Sequence, residues 1–328
     1  MISRRSATGL LAGAALLRAG QAGAQDVDER TWPDRPLRLV VPYAPGGTND
    51  IAARLLAQRL TEAFGQPAVV ENRPGAQAII GTEAVARARP DGLTLLVAAS
   101  GPIVFNPATN DQLSYDPLRD LAPVSLLVAF PLMLLVGKDS PYRSVAELVA
   151  HAKAQPERAN YGSPAASMQL ATELFNQRAA TRFQHVAYRG SAEIVTAVAS
   201  GDLTMAFLDT APAAGALAAG RVRALGVTSA QRLASFPDVP TMTEAGFPDM
   251  QVELWTGLLA PAGTPAGIVA KLQAETARLV ASPGYRERMA ALYSRPVATT
   301  PEELRALIGR EIPLWRGVAR QAGVRMER

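Results

Sequence analysis

A glycine turn between an apolar run and a helix pattern is the first candidate site of this chain. The apolar run Leu37–Val41 predicts a buried strand, and residues 42–50 (PYAPGGTND) follow it directly. We expect Thr48 to cap a helix that carries Ile51 and Leu55 on one face. Backbone N–H groups without partners then meet the positive end of the helix dipole, and this combination attracts a carboxylate or phosphate. A tight turn without a ligand is the alternative interpretation.

Four further loops of this kind follow later predicted strands, at residues 100–106, 162–167, 188–191 and 209–211. They are rich in glycine and hydroxyl side chains rather than in paired acids, histidines or cysteines. Hydroxyls and backbone N–H groups bind a carboxylate without a formal countercharge. For each serine the alternative is a plain helix cap, which is the role that we expect for Ser191. The recurrence of the pattern at several strand ends favours a ligand site.

Two aspartates in these loops each have two interpretations. Asp50 lies in the first turn of the predicted helix, where a carboxylate stabilises the helix dipole, or it accepts a hydrogen bond from a ligand. Asp209 follows a strand end, where it binds a ligand amine or caps the helix that follows.

Enzyme and metal sites have weak support in the sequence. His151 and His185 are the two histidines, and neither has metal-ligand spacing around it. A hydrolase built on Ser163, His185 and Asp209 would lack the Gly-x-Ser-x-Gly elbow. No Gly-x-Gly-x-x-Gly follows the first strand, so a dinucleotide is not expected. We predict no catalytic residue, no metal and no cofactor.

Residues 1–24 have the pattern of an export signal. Arg4 and Arg5 precede a short apolar stretch at residues 10–17, and small residues end at Ala24, where we expect cleavage. General secretion and the twin-arginine route fit equally well. The chain has no cysteine, so we expect no lipid anchor and no disulfide. No later segment has 18 consecutive apolar residues, which predicts a soluble exported protein.

Charge and composition argue against a nucleic-acid partner. The formal charge of the chain is +4, and residues 1–24 contain three arginines and no acid, so cleavage would leave +1. No basic run with interleaved aromatic residues occurs. Aromatic residues make up only 5% of the chain, which also argues against a sugar-stacking cleft.

Strand and helix patterns alternate along most of the chain, which predicts parallel strands with crossover helices. Two apolar runs, 124–136 and 251–260, have the length of crossings between lobes, and Pro131 divides the first into two expected strands. We predict an α/β fold of two lobes, each a central, mostly parallel sheet flanked by helices, joined by two crossing strands. Small ligands bind in clefts between such lobes. The expected boundaries are 25–127 plus 254–328 for lobe 1 and 128–253 for lobe 2.

A series of short motifs resembles the Bug-type receptors, the periplasmic solute-binding proteins of tripartite tricarboxylate transporters. The resemblance runs from about residue 33 to the C-terminus, and the combined spacing is specific although each motif is weak alone. The motifs include PLRLVVPYAPGGTND at 36–50, ENRPGA at 71–76, PDG at 90–92, YGS at 161–163, VAYRG at 186–190 and PAGTP at 261–265.

The resemblance implies a two-lobed periplasmic binding protein, type II-like, whose hinged cleft closes on a small carboxylate without catalysis. It implies that loops of the two lobes pinch the carboxylate, partly through water. The candidate ligand-binding residues are Tyr43, Gly46, Gly47, Thr48, Asp50, Ser100, Ser163, Ser167, Gln169, Tyr188 and Asp209.

Three loop sequences depart from the pattern of this family. Residues 164–166 are Pro-Ala-Ala where relatives carry more glycine, Gln169 stands where a histidine is common, and residues 77–79 are Gln-Ala-Ile where Gly-Gly-Asn is frequent. We expect the added side chains to narrow and stiffen these loops.

These patterns together predict a periplasmic monomer that captures a small organic anion and delivers it to membrane permease subunits. The resemblance implies that the anion is a dicarboxylate or tricarboxylate, an acidic amino acid or an aromatic acid. A secreted α/β hydrolase and a receptor that passes its ligand to a signalling protein are the alternatives.

Overall fold

The structure, a computed structural model, describes residues 28–325 of the 328-residue chain. The expected signal segment 1–24 and its cleavage near Ala24 lie outside these residues. Between Asp28 and Arg325, no helix combines the length and the apolar character that crossing a bilayer would require.

Strands and helices alternate along the chain, as the sequence patterns predict. The strands are β1 (Leu37–Val41), β2 (Ala68–Asn72), β3 (Thr94–Ala99), β4 (Leu121–Gly137), β5 (Asn160–Ser163), β6 (Gln184–Ala187), β7 (Ala206–Asp209), β8 (Val222–Val227), β9 (Glu253–Pro261) and β10 (Arg295–Pro296). The α-helices are α1 (Thr48–Phe64), α2 (Ile79–Ala86), α3 (Asn106–Thr109), α4 (Pro117–Asp120), α5 (Val145–Ala154), α6 (Ala166–Ala179), α7 (Ser191–Ser200), α8 (Thr210–Ala218), α9 (Ala266–Ala281), α10 (Pro283–Ala290) and α11 (Pro301–Ala322). Short 3₁₀ turns span Ala76–Ala78 and Pro156–Arg158, and a π-helical turn spans Gly101–Phe105.

The long strand β4 divides the structure into two halves. In the first half the strand order is β2-β1-β3-β9-β4-β10, and in the second half β7 and β8 both pair with the C-terminal part of β4. Strands β5 and β6 form a separate parallel pair, and a bridge between Tyr161 and Met205 joins β5 to the chain just before β7.

Strand β4 is continuous, so the prediction of two strands joined at Pro131 was wrong. Pro131 pairs with Glu253 of β9, and the next residue, Leu132, pairs with Asp209 of β7. The partners of β4 therefore change at this position. A proline has no N–H to donate, and it is tolerated here because one ladder ends where the other begins.

Strand directions are mixed, which modifies the expectation of mostly parallel sheets. The strands that lead into helices pair in parallel as predicted: β1 with β2 and β3, and β5 with β6. Strands β4 and β9 pair antiparallel with each other and with their other neighbours. The difference arises because β9 returns from the second half in the direction opposite to β4.

Helices cover both faces of the main sheet, which confirms the α/β fold class. Leu39 of β1 packs into one core with Leu56 of α1 and Leu272 of α9. The next residue, Val40, faces the other core with Trp315 of α11, because successive strand residues point to opposite faces. Burying each such leucine stabilises the fold by roughly 1.5–3 kcal/mol. Both cores hold the strand ends in fixed positions at the edge where the loops lie.

Candidate functional site

A cleft of about 670 Å³ lies where the two halves meet. Phe130 of β4 and Leu254 of β9 pair across these strands and both line the cleft. A side pocket of about 200 Å³ adjoins it, since Asn49, Phe130 and Asp209 line both spaces. The strands that join the halves therefore border the cleft.

Most of the predicted ligand-binding residues come together at this cleft. Thr48 lines the side pocket, whereas Gly46, Gly47, Asp50 and Ser100 are not among the lining residues. Ser100 is buried at the end of β3. The predicted residues that line the cleft itself are Tyr43, Ser163, Ser167, Gln169, Tyr188 and Asp209.

Asp50 holds the glycine loop, residues 42–47, in place from behind. Its side chain is buried, and Oδ2 accepts hydrogen bonds from Gly46 N–H and Arg54 Nε, both at 2.9 Å. Oδ1 accepts from Asn72 Nδ2 at 3.0 Å, and the same amide nitrogen donates to Tyr43 O at 3.1 Å. Burial alone would raise the pKa of Asp50, but these hydrogen bonds and the Arg54 charge hold it below its usual value. Asp50 and the Gly46 N–H are thus occupied within the loop.

The N-terminus of α1 leaves backbone donors near the cleft. Gly47 is the cap residue, and no side chain caps the helix, so the prediction that Thr48 is the cap was wrong. The first intrahelical bond joins Ile51 N–H to Gly47 O, so the three preceding N–H groups have no partner within the helix. Asn49 is oriented by Thr256, whose hydroxyl donates to Asn49 Oδ1 at 2.5 Å. This contact leaves the Asn49 amide N–H₂ group as a further donor.

Helix α6 presents a second N-terminus from the other half. Its cap residue, Ala165, has no capping side chain, and the bond from Gln169 N–H to Ala165 O is the first of the helix. Ser167 and Met168, in its first turn, line the cleft. Two helix N-termini with unpaired N–H groups therefore approach one space from opposite sides, which favours an anion there.

Ser163 at the end of β5 bonds to a histidine on the neighbouring strand. The parallel register places His185 beside Tyr161, and the two rings lie 5.1 Å apart. Ser163 Oγ lies 2.7 Å from His185 Nε2, and Gln169 Nε2 donates to His185 Nδ1 at 3.2 Å. Desolvation lowers the pKa of His185, and this effect outweighs the negative charge of Glu173, which acts to raise it. The ring is therefore neutral at neutral pH.

This arrangement suits ligand binding better than hydrolysis. An amide nitrogen at Nδ1 assigns the ring proton to Nε2, which then donates to Ser163 Oγ. The hydroxyl proton is left for an acceptor in the cleft, whereas a general base would need an unprotonated Nε2. The group bonded to Nδ1 is the Gln169 amide, and Asp209, the third member of the hydrolase alternative, forms no hydrogen bond with His185 in the described part of the chain.

Tyr43 and Tyr188 contribute rings from the two halves. The Tyr43 hydroxyl lies close to Gly101, since a Cβ added to Gly101 would be 3.6 Å from it. Burial raises the pKa of Tyr43. Tyr188 N–H donates to Ser163 O at 3.1 Å. A Cβ added at Gly162 would lie 3.1 Å from the Tyr188 ring, so the glycine permits the close packing of this ring on β5.

Asp209 is placed differently from Asp50. It precedes α8, but its side chain makes no capping bond, so the interpretation as a helix cap was wrong. A cap carboxylate bonds the N–H of the second or third helical residue, and the third here is Pro212, which has no N–H. Oδ1 of Asp209 is buried without a hydrogen-bond partner among the described residues, and burial raises its pKa to about 6.

Several residues of the cleft had no local signal in the sequence. Asn49 was passed over inside the first motif, and His185 was considered only as a metal ligand or a catalytic base. Gln77, Asn106, Phe130 and Arg325 also line the cleft. Only the pairing of distant strands brings these residues together, so spacing along the chain could not identify them. Within residues 28–325, no group of three or more His, Cys, Asp or Glu side chains could hold a metal ion.

Comparison with known proteins connects this chain to a group of receptors. The family model described as "Tripartite tricarboxylate transporter family receptor" matches residues 52–324. Protein BugT of Bordetella pertussis is 35% identical over 324 residues, which cover 98% of this chain and 99% of BugT.

Two solved structures with bound carboxylates share the fold. The structure of R. palustris Rpa4515 with adipate is 33% identical, with a TM-score of 0.77 over 90% of this chain and 99% of that one. MatC (Rpa3494) from Rhodopseudomonas palustris with bound malate is also 33% identical, with a TM-score of 0.73 over 88% of this chain and 99% of that one.

Proposed function

The chain belongs to the receptor family of tripartite tricarboxylate transporters, and from this premise we propose that it is a periplasmic receptor that captures a small carboxylate and delivers it to membrane permease subunits. The family and the similar structures support a solute-binding role and not an enzymatic one. Adipate and malate, bound in two of the similar structures, support a carboxylate as the ligand.

One observation carries the proposal: the N-termini of α1 and α6 approach one cleft from opposite halves, and neither has a capping side chain. Unpaired N–H groups and the positive ends of two helix dipoles attract a carboxylate. In our proposal the glycine loop with Gly47 and Thr48 binds it from one side, and Ser163 and Ser167 bind it from the other.

The remaining predicted residues have different roles in this proposal. The rings of Tyr43 and Tyr188 form walls on either side of the ligand. Gln169 orients the His185–Ser163 pair. Gly46 and Asp50 hold the glycine loop in place and do not touch the ligand. Ser100, at the end of β3, supports the wall of the cleft that the first half provides.

A hinge at β4 and β9 would couple the ligand to docking on the permease. We propose lobe 1 at residues 25–127 plus 254–328 and lobe 2 at residues 128–253. The change of partners at Pro131 and Leu132 lies within a few residues of these boundaries and supports a hinge there. Closure requires that the ligand binds the closed form more tightly than the open form.

A thermal-shift screen of small carboxylates tests the binding function. A ligand at 100 times its dissociation constant stabilises the native state by about 2.7 kcal/mol, so binders raise the unfolding midpoint in a concentration-dependent way. If no dicarboxylate, amino acid or aromatic acid raises the midpoint, the proposed function is wrong.

Gly47→Pro tests the site with the ligand found in that screen. Gly47 has a φ of −79°, close to the value that proline requires, so the variant removes the N–H with little backbone strain. Loss of one hydrogen bond to a charged group predicts roughly 10- to 100-fold weaker binding by calorimetry. Gly47→Ala is the matched control, because it keeps the N–H and its Cβ would meet no atom within 4 Å. Equal affinities of the two variants would refute the role of this donor.

Delivery to a permease needs a measurement in cells. A strain lacking the receptor should fail to take up the radiolabelled ligand. Normal uptake in that strain would contradict delivery and would favour the signalling role.

A further inference from the structure

Asp209 carries an oxygen that nothing in the described part of the chain satisfies. Its Oδ1 atom is buried and has no hydrogen-bond partner between residues 28 and 325. The carboxyl group stands at the end of β7 and borders both the cleft and the side pocket. A charged group with a buried oxygen that has no partner destabilises a protein, so this carboxyl favours a donor from a bound ligand.

The groups next to Asp209 in the chain do not satisfy its Oδ1 atom. The hydroxyl of Thr210 donates to Pro131 O at 2.8 Å, and Pro212 has no N–H. Among the residues that line the cleft and the side pocket, Arg325 is the one cation, and it belongs to the exposed C-terminal end. The carboxyl is ionised at neutral pH, since burial raises its pKa only to about 6.

Donors and this acceptor face the same small space. Thr48 and Asn49, at the N-terminus of α1, line the side pocket together with Asp209. A ligand carboxylate held by the α1 donors would therefore lie close to the Asp209 carboxylate. Like charges repel strongly where water is excluded. A ligand that carries a positive donor next to its carboxylate removes this conflict.

We propose that Asp209 selects carboxylates that bear an ammonium group, so that the ligand of this receptor is an amino acid. The ammonium N–H groups donate to Asp209 while the α1 terminus binds the ligand carboxylate, and the two contacts use opposite walls of one pocket. This inference rests on the proposed function and names the substrate class of that same site.

Matched ligand pairs that differ only in the amino group test the selectivity. The pairs are aspartate and succinate, glutamate and glutarate, 2-aminoadipate and adipate, and phenylalanine and 3-phenylpropionate. Calorimetry on the wild-type protein should give an affinity about ten-fold or more higher for the amino member of the pair that fits best, as expected for a buried charged hydrogen bond. Equal or tighter binding of the plain acid would overturn the proposal, because Asp209 would then give no preference for an ammonium group.

Asp209→Asn removes the charge and keeps the volume. It should bring the two members of the pair to within about three-fold of each other, mainly by weakening the amino acid. Asp139→Asn, at an exposed position of the second half, is the matched control and should keep the full preference. A preference that survives in Asp209→Asn would assign the selectivity to another residue.

The ligand-free protein supplies a readout that does not depend on the ligand. Asp209→Asn should raise its thermal midpoint at about pH 7.5, since the variant removes the charge from a half-buried carboxyl whose Oδ1 atom has no partner. An unchanged midpoint would contradict the unsatisfied state of this carboxylate.

Failure of every acid to bind would refute the proposed function itself, whereas binding of plain acids without the preference would refute only the role of Asp209.

Discussion

The glycine loop depends on one carboxylate, and Asp50→Asn is the substitution that isolates it. Oδ2 accepts from Gly46 N–H and Arg54 Nε, and Oδ1 accepts from Asn72 Nδ2. An asparagine has one oxygen and one N–H₂ group in these two places. Either Gly46 and Arg54 face the N–H₂ group, or Asn72 does. Flipping the Asn72 amide does not restore the lost bond without a new cost, because its nitrogen also donates to Tyr43 O.

The cost of the substitution follows from the number of donors that lose their acceptor. A buried donor without a partner costs about 1–3 kcal/mol. Arg54 is 54% exposed in its side chain, so water replaces its bond and its loss contributes little. Gly46 is exposed and Asn72 is half-buried, so water replaces part of these bonds as well. Together with the lost charge, this predicts that Asp50→Asn lowers the free energy of unfolding by about 1 kcal/mol. The loosened loop should also bind the ligand more weakly.

Urea unfolding at several pH values gives a second test, and its sign is fixed by the pKa shift. Hydrogen bonds from Arg54, Gly46 and Asn72 outweigh burial and lower the pKa of Asp50 in the folded state. Its contribution is therefore complete above the unfolded pKa of about 3.9, and it is lost as the pH falls through the lower folded value. The difference between the wild type and Asp50→Asn should be constant from about pH 7 to 5 and should shrink below about pH 4.

The exposed Asp139→Asn serves again as the control and should change the unfolding free energy by less than about 0.5 kcal/mol. If Asp50→Asn behaves like this control, or if its effect persists unchanged in acid, the carboxylate does not hold the loop as described.

Two further predictions concern positions away from the cleft. Ala180 has a φ of +50° at the C-terminal end of α6, so Ala180→Gly should stabilise the protein by about 1 kcal/mol in urea unfolding, with unchanged ligand affinity; a loss of stability would contradict the left-handed conformation. Burial raises the pKa of Glu311 to about 7, well above its unfolded value, so the folded state binds this proton more tightly and stability falls as the pH rises from about 4.5 to 7. Glu311→Gln keeps an acceptor for Trp255 Nε1, which donates to Glu311 at 2.9 Å in the wild type. The free energy of unfolding of the variant should rise relative to that of the wild type by on the order of 2 kcal/mol between about pH 4.5 and 8. The same difference between the two proteins at both pH values would refute this.

Sequence reasoning was most successful where the signal is local. The apolar run of β1, the glycine turn and the start of α1 are adjacent in the chain, so their types alone predict a strand, a turn and a helix N-terminus. The two long strands β4 and β9 were also located, because both are long apolar runs. The continuity of β4 through Pro131 was missed, since it depends on which strands pair with it on either side.

The state of individual polar groups was beyond prediction for the same reason. The register of β1 and β2 brings Asn72 beside Val41, and this contact commits Asp50 to the loop. The register of β5 and β6 brings His185 beside Tyr161 and within reach of Ser163. A sequence shows which groups can form hydrogen bonds, but strand register decides which of them are already satisfied.

In the proposed mechanism, the groups that remain unsatisfied determine which ligand the closed cleft accepts. Backbone dipoles bind a carboxylate weakly while water competes, and more strongly once closure of the lobes lowers the local dielectric. The same change strengthens the repulsion between that carboxylate and Asp209. In the proposed site, closure on a plain acid would therefore strengthen both the attraction of the α1 terminus and the repulsion from Asp209, whereas closure on an amino acid would strengthen attraction at both. Discrimination must be greatest in the closed form, so it should be expressed in the rate of ligand release more than in the rate of capture.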